Sequence, residues 1–146
     1  MKKFLFILIL CLIFTPKPLH AETNKCPILI IDDSTDTVGQ RLVYKFKEAI
    51  RRSSTMTITL DKKSAALEIQ FSTLDRLPDT PGLSTIYSVT WILILGDKTR
   101  TFYDSTLGYC GASRLDEDAE NFVAKTDAIV DEIATAVLEL KNGGID

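Results

Sequence analysis

Histidine is nearly absent from this chain. The 146 residues contain one, His20, and it lies in an N-terminal stretch that reads as a removable leader. The processed chain therefore has none, which excludes Ser-His-Asp and Cys-His catalysis and any His-ligated zinc site. Cysteine is scarce too, at three residues, with no Cys-x-x-Cys pair. No Ser-x-x-Lys or Gly-x-Ser-x-Gly motif occurs, and "GDKT" at 96–99 lacks the glycine and spacer of a phosphate loop. There is no repeat, low-complexity tract or long linker, so the expectation is one domain.

The chain opens with Lys2 and Lys3, an unbroken apolar run over residues 4–14, then a polar stretch with Pro16 and Pro18 ending in Ala21. That is the layout of a secretory signal peptide, and the run falls short of the ~20 residues of a membrane span. The division expected is a cleaved leader over 1–21 and a single exported domain over 22–146, periplasmic or secreted, without stable membrane insertion after cleavage. Three of the 17 basic residues (Lys2, Lys3, Lys17) leave with the leader, so 14 basic residues face 20 acidic ones, a formal charge of −6. Such a balance argues against nucleic acid as a partner.

Export leaves Cys26 and Cys110. An even count in an oxidising compartment reads first as one disulfide. Cys26 precedes the apolar run "PILII" and Cys110 ends "TFYDSTLGYC", and strand ends in one sheet can meet the ~5.5 Å Cα separation a disulfide needs. The long loop so closed would stabilise by about 4–5 kcal/mol at most. A free or redox-active Cys110 is the alternative.

Along the chain, "PILIIDD" reads as a buried strand. A helix follows to Arg52, with Thr37 and Gln40 in the form of a capping box and Val38, Leu42, Phe46 and Ile50 at helical spacing. Its other face is basic. "TMTITL" and "ALEIQFSTL" alternate as half-buried strands, placing Met56, Ile58, Leu60, Leu67, Ile69 and Phe71 inward, with "DKKS" as a turn between them. "DRLPDTPGLS" is a loop. "TIYSVTWILIL" is the most apolar strand and reads as central, joined through a "GDK" turn to "TRTFYDSTLGYC". A last helix starts near "SRLDEDAE", where acids suit the dipole, and carries an apolar stripe from Phe122 through Leu140. The fold class expected is α+β: one small domain in the order β-α-β-β-β-β-α, a mixed, mostly antiparallel sheet, and two helices packed on one face.

That order resembles the N-terminal domain of the TolB translocation protein and the related domain of the curli secretion lipoprotein family. The likeness is carried by "ALEIQFSTL", the hairpin "YSVTWILILGDKTRTFYDST" and the closing helix "FVAKTDAIVDEIATAV", where Asp127 precedes Ile129. It spans most of residues 27–140. It implies an envelope interaction or assembly module rather than an enzyme.

Two sets of candidate residues follow. Asp32, Asp33 and Asp36 cluster between a strand end and a helix start; carboxylates so grouped can hold a hard cation, but the spacing lacks the alternating ligands and glycine of a calcium loop, and turn and cap chemistry is the favoured reading. Ile86, Ile92 and Ile94 form the second apolar face of a strand whose other face holds Tyr87 and Trp91. If helices cover only one face, the isoleucines need a partner protein, a homodimer mate or a covering loop. The leading expectation is a non-catalytic binder of another envelope or secreted protein, with no cofactor and no metal. The alternatives are a small-ligand or cation binder using the loops near 32–37 and 109–114, and a histidine-free enzyme using carboxylates or a Cys110 thiolate.

Overall fold

The computed structural model describes residues 25–142 except 78, 97 and 98; the leader expected over 1–21 and most of the "GDK" turn lie outside the described residues. Seven elements follow in the expected order: β1 (Cys26–Ser34), α1 (Thr37–Arg52), β2 (Met56–Thr59), β3 (Leu67–Asp75), β4 (Ser84–Leu95), β5 (Thr99–Gly111) and α2 (Leu115–Asn142). They make an α+β domain with one sheet in the order β2-β1-β3-β4-β5. β1 runs parallel to both neighbours, and the longer β3–β4 and β4–β5 pairings are antiparallel.

The parallel flanks suit β1, whose run of Ile28 to Ile31 is apolar on both faces. "DKKS" holds the expected turn, with Ser64 N–H donating to Asp61 O at 3.2 Å, on a connection that has to pass β1, which lies between β2 and β3. Two expectations on the strands are corrected. β2 stops at Thr59, and Leu60 is 92% exposed rather than inward. The most apolar strand, β4, is interior but not central; β3 takes the middle.

Both helices cover one face. Ile28, Leu67, Ile69, Phe71, Val89 and Trp91 point into it and are fully buried. α1 contributes Leu42, Val43, Phe46 and Ile50; α2 contributes Leu115, Ala119, Phe122, Ile129 and Val130. Phe122 is the aromatic hub, its ring centroid 5.0 Å from Tyr87, 5.7 Å from Phe71 and 6.4 Å from Trp91. Trp91 Nε1 donates to Thr126 Oγ1 at 3.0 Å, so the buried indole keeps a partner. The α2 stripe then runs off the sheet: Ile133 is half-buried and Val137 is 44% exposed.

α1 is capped by Asp36, one residue before the Thr37 that the sequence pattern favours. Asp36 Oδ1 accepts from Gly39 N–H at 2.8 Å. Its Oδ2 accepts from the hydroxyls of Thr73 at 2.7 Å and Thr85 at 2.8 Å. One carboxylate thus fastens the helix start to β3 and β4. The approach is so close that a Cβ on Gly39 would lie 2.0 Å from Thr73 Oγ1 and 2.5 Å from Thr73 Cβ. Gly39→Ala should therefore cost about 2 kcal/mol, the usual scale of overpacking, read as a lower urea midpoint at unchanged slope. A cost below ~0.5 kcal/mol would mean that the helix start can withdraw from β3 freely.

Candidate functional site

Cys26 and Cys110 are free, which corrects the expected disulfide between them. Cys26 opens β1 and pairs with Met56; Cys110 is near the end of β5 and pairs with Thr85. β3 and β4 lie between those strands, and the register carries Cys110 to the level of Asp75, beyond the far end of β1. Along the strand axis alone the two residues are roughly 30 Å apart at ~3.3 Å per residue, against a Cα limit of about 7 Å for a bridge. Both cysteines follow strand patterns correctly; sheet order, which those patterns do not encode, separates them. Cys110 is fully buried, and burial together with the neighbouring Asp118 carboxylate pushes its thiol up to about 12. Burial also raises Cys26. Neither has the depressed pKa of a reactive thiol.

Asp32, Asp33 and Asp36 are not brought together. Asp32 points to the helix side, where its Oδ2 takes Lys47 Nζ at 2.8 Å. Asp33, the next residue in the strand, faces the opposite way and is exposed. Asp36 is 9% exposed and engaged as the cap. Burial works to raise its pKa, but the Gly39 N–H, the Thr73 and Thr85 hydroxyls and the Val38 N–H outweigh it and hold the carboxyl below the ordinary range. Among the described residues, no group of three or more His, Cys, Asp or Glu could hold a metal ion. The basic face of α1 is also largely engaged: Lys45 pairs with Asp116 at 2.8 Å, and Arg51 pairs with Glu48.

The helix-free face of the sheet is different. Ile86, Ile92 and Ile94 stand on it as expected, Ile86 at 40% exposure and the other two half-buried. β5 extends the patch with Phe102, Leu107 and Tyr109, exposed by 62%, 77% and 62%. Sequence reading missed these three. A bulge is the reason: Trp91 pairs with Asp104 but Ile92 with Phe102, leaving Tyr103 unmatched. Tyr103 and Asp104 both reach α2, through Glu132 and Lys125, so Phe102 and Leu107 share a face despite their odd spacing. Simple alternation over "STLGYC" would still have found Leu107 and Tyr109. Within the patch one carboxylate is sealed: Glu68 is 1% exposed, paired with Arg100 and accepting from Gln70 Nε2 at 2.6 Å. The Arg76 guanidinium lies 4.5 Å from the Tyr109 ring centre.

Two apolar grooves flank Ile133 at the end of the sheet where Cys26 lies. One, of about 500 Å³, runs between Cys26, Thr55 and α2; the other, of about 340 Å³, between Leu93, Leu95, Tyr103 and α2. The loops near 32–37 and 109–114 are at the other end. No described helix is long and apolar enough to cross a membrane. No family model matches the chain, and no curated protein matches it.

Two measurements check these placements. Intact mass should not rise by the ~2 Da of a reduced disulfide when reductant is added, and Cys110 should alkylate only after unfolding. A 2 Da gain would overturn the strand order. For Asp36 the sign runs one way. Its folded pKa lies below the unfolded value of about 3.9, so its stabilisation is complete above that value and lost as pH falls through the folded one. Asp36→Asn should lower stability at neutral pH, and the gap to the parent should close below about pH 4. A gap constant down to pH 2 would show that the charge is not what the hydroxyls hold.

Proposed function

We propose that the protein is a non-catalytic, exported interaction module that binds another envelope or secreted protein through the helix-free face of its sheet. The observation that carries this reading is the apolar patch of Ile86, Ile92, Ile94, Phe102, Leu107 and Tyr109, over which no described element packs. Large apolar side chains gathered on one open face are the usual mark of a binding surface. The leader-like N-terminus and the resemblance to TolB and curli-lipoprotein domains point to the envelope as the place of action. The chemistry of the cysteines agrees: a buried thiol raised to about 12 does not serve as a nucleophile.

The test places a photo-crosslinking residue at Leu107 in cells that export the protein. A discrete product cross-linked to a different protein, distinguished by mass from a pair of copies of this chain, is expected, and it should vanish in Ile92→Asp and in Phe102→Asp while circular dichroism still reports a folded chain. Persistence of the product in both variants would remove the face as the binding site. Unfolding of Ile92→Asp together with unaltered cross-linking in Phe102→Asp would make the patch ordinary core.

A further inference from the structure

β5 is an edge strand of 13 residues, whereas β2, at the other edge, has 4. A long edge presents unpaired N–H and C=O groups to any strand that comes alongside. The register says which groups these are. Ala112 N–H donates to Leu83 O at 2.9 Å, so Ala112 bonds toward β4, and along an antiparallel ladder the direction alternates. Cys110, Gly108 and Thr106 therefore bond toward β4 as well. Tyr109, Leu107 and Ser105 turn their peptide groups outward. Ser105 N–H is already taken by Asp104 Oδ1 at 2.7 Å. Among the described residues nothing takes the outward donors and acceptors of Leu107 and Tyr109, which lie side by side with their exposed side chains on the helix-free face.

We infer that two copies of this chain pair through β5, antiparallel about a two-fold axis at Gly108, with Leu107 of each copy exchanging both backbone hydrogen bonds with Tyr109 of the partner subunit. The register is self-complementary, as a two-fold contact requires: each copy offers the same two donors and two acceptors. Leu107 lies against the partner's Tyr109, an aliphatic–aromatic cross-strand pair. The two Gly108 residues meet at the close, non-hydrogen-bonded position, where neither has a side chain to obstruct the approach. A Cβ there is excluded in any case, because it would lie 2.6 Å from Tyr87 Oη. From Ser105 through Gly111 the strand carries no charge, so nothing on it repels a second copy, although the chain as a whole is acidic. The bulge at Tyr103 and the capped Ser105 N–H end the pairing on one side. The product is a ten-strand sheet whose two helix-free faces join in one surface. The inference rests on the reading of that sheet surface as a binding surface and names a second copy as one occupant of its border.

The test is the solution mass of the purified protein by light scattering. Twice the chain mass is expected for the parent at about 100 µM, well above a micromolar dissociation constant. Leu107→Pro removes an outward donor and leaves the ladder to β4 intact, so it should give the monomer mass with unchanged circular dichroism. Amide exchange on the parent gives a check without a variant: Leu107 and Tyr109 should lose at least tenfold in protection on dilution, while Ile69 does not change. A monomeric parent, or a dimer that survives Leu107→Pro, overturns the pairing. Ile92→Asp separates the two readings. A dimer that survives Ile92→Asp and dissociates in Leu107→Pro places the contact at the edge. The reverse pattern places it on the face and overturns the edge.

Discussion

The Asp36 carboxylate holds the two layers of this domain in place relative to one another. It accepts one backbone N–H from α1 and one hydroxyl from each of two adjacent strands, at 2.7 to 2.8 Å. A carboxylate taken out of water is costly unless its lone pairs are used, and here three donors use them. Because the donors come from α1, β3 and β4, the charge is satisfied only when all three meet. Gly39 is the steric counterpart. No side chain fits between the first turn of α1 and Thr73, so the helix can come close enough for the carboxylate to reach both threonines. Thr35 adds a fourth tie, its hydroxyl donating to Thr73 O at 2.7 Å.

From that anchor, α1 lies along the sheet and Phe46 meets Phe71 with ring centroids 5.0 Å apart. α2 packs beside it and sets Phe122 against the sheet aromatics Phe71, Tyr87 and Trp91. Two helices shield one face of a five-strand sheet, and the elements described provide nothing for the other face. The strands bordering that face have accordingly different compositions. β3 places Glu68, Gln70 and Ser72 there, and Glu68 is closed off by Arg100 from β5. β4 and β5 place isoleucines, Phe102, Leu107 and Tyr109 there. β1 adds Leu29 and Ile31, with Leu29 buried, so most of the exposed apolar side chains lie toward the β5 edge.

Most of the elements are legible in local patterns of residues. The spacing of Val38, Leu42, Phe46 and Ile50 identifies α1, and the alternation of Leu67, Ile69 and Phe71 orients β3 correctly. Ile86, Ile92 and Ile94 fall on the open face as their spacing implies. What alternation cannot convey is the order of strands. Half-buried strands next to one another in the chain read as neighbours, yet β1 inserts between β2 and β3, and the expected disulfide fails for the same kind of reason. Nor can a period of two survive an extra residue: Tyr103 shifts the phase, so Phe102 changes face relative to the rest of β5. The capping box at Thr37 and Gln40 was displaced by one position, because the partners that favour Asp36 are hydroxyls from distant strands.

Four carboxylates of this domain share one fate. Asp32 is held by Lys47, Asp104 by Lys125, Glu68 by Arg100 and Gln70, and Asp36 by three donors. A carboxylate used for acid–base chemistry needs a lone pair or a proton free for substrate. Each of these has its charge matched inside the chain, and Cys110 is a buried thiol that the neighbouring Asp118 carboxylate holds protonated. Among the described residues, two further kinds of group stand without partners side by side on β5: apolar side chains on the open face, and the outward peptide groups of Leu107 and Tyr109. Apolar area and backbone hydrogen bonds are the means by which one protein surface recognises another, through packing on the face and strand addition at the edge. β5 is where they coincide. Its N-terminal half is blunted by the bulge and by the Asp104 cap, while its uncharged C-terminal half has neither, so an approaching strand would find open donors and exposed side chains in the same few residues.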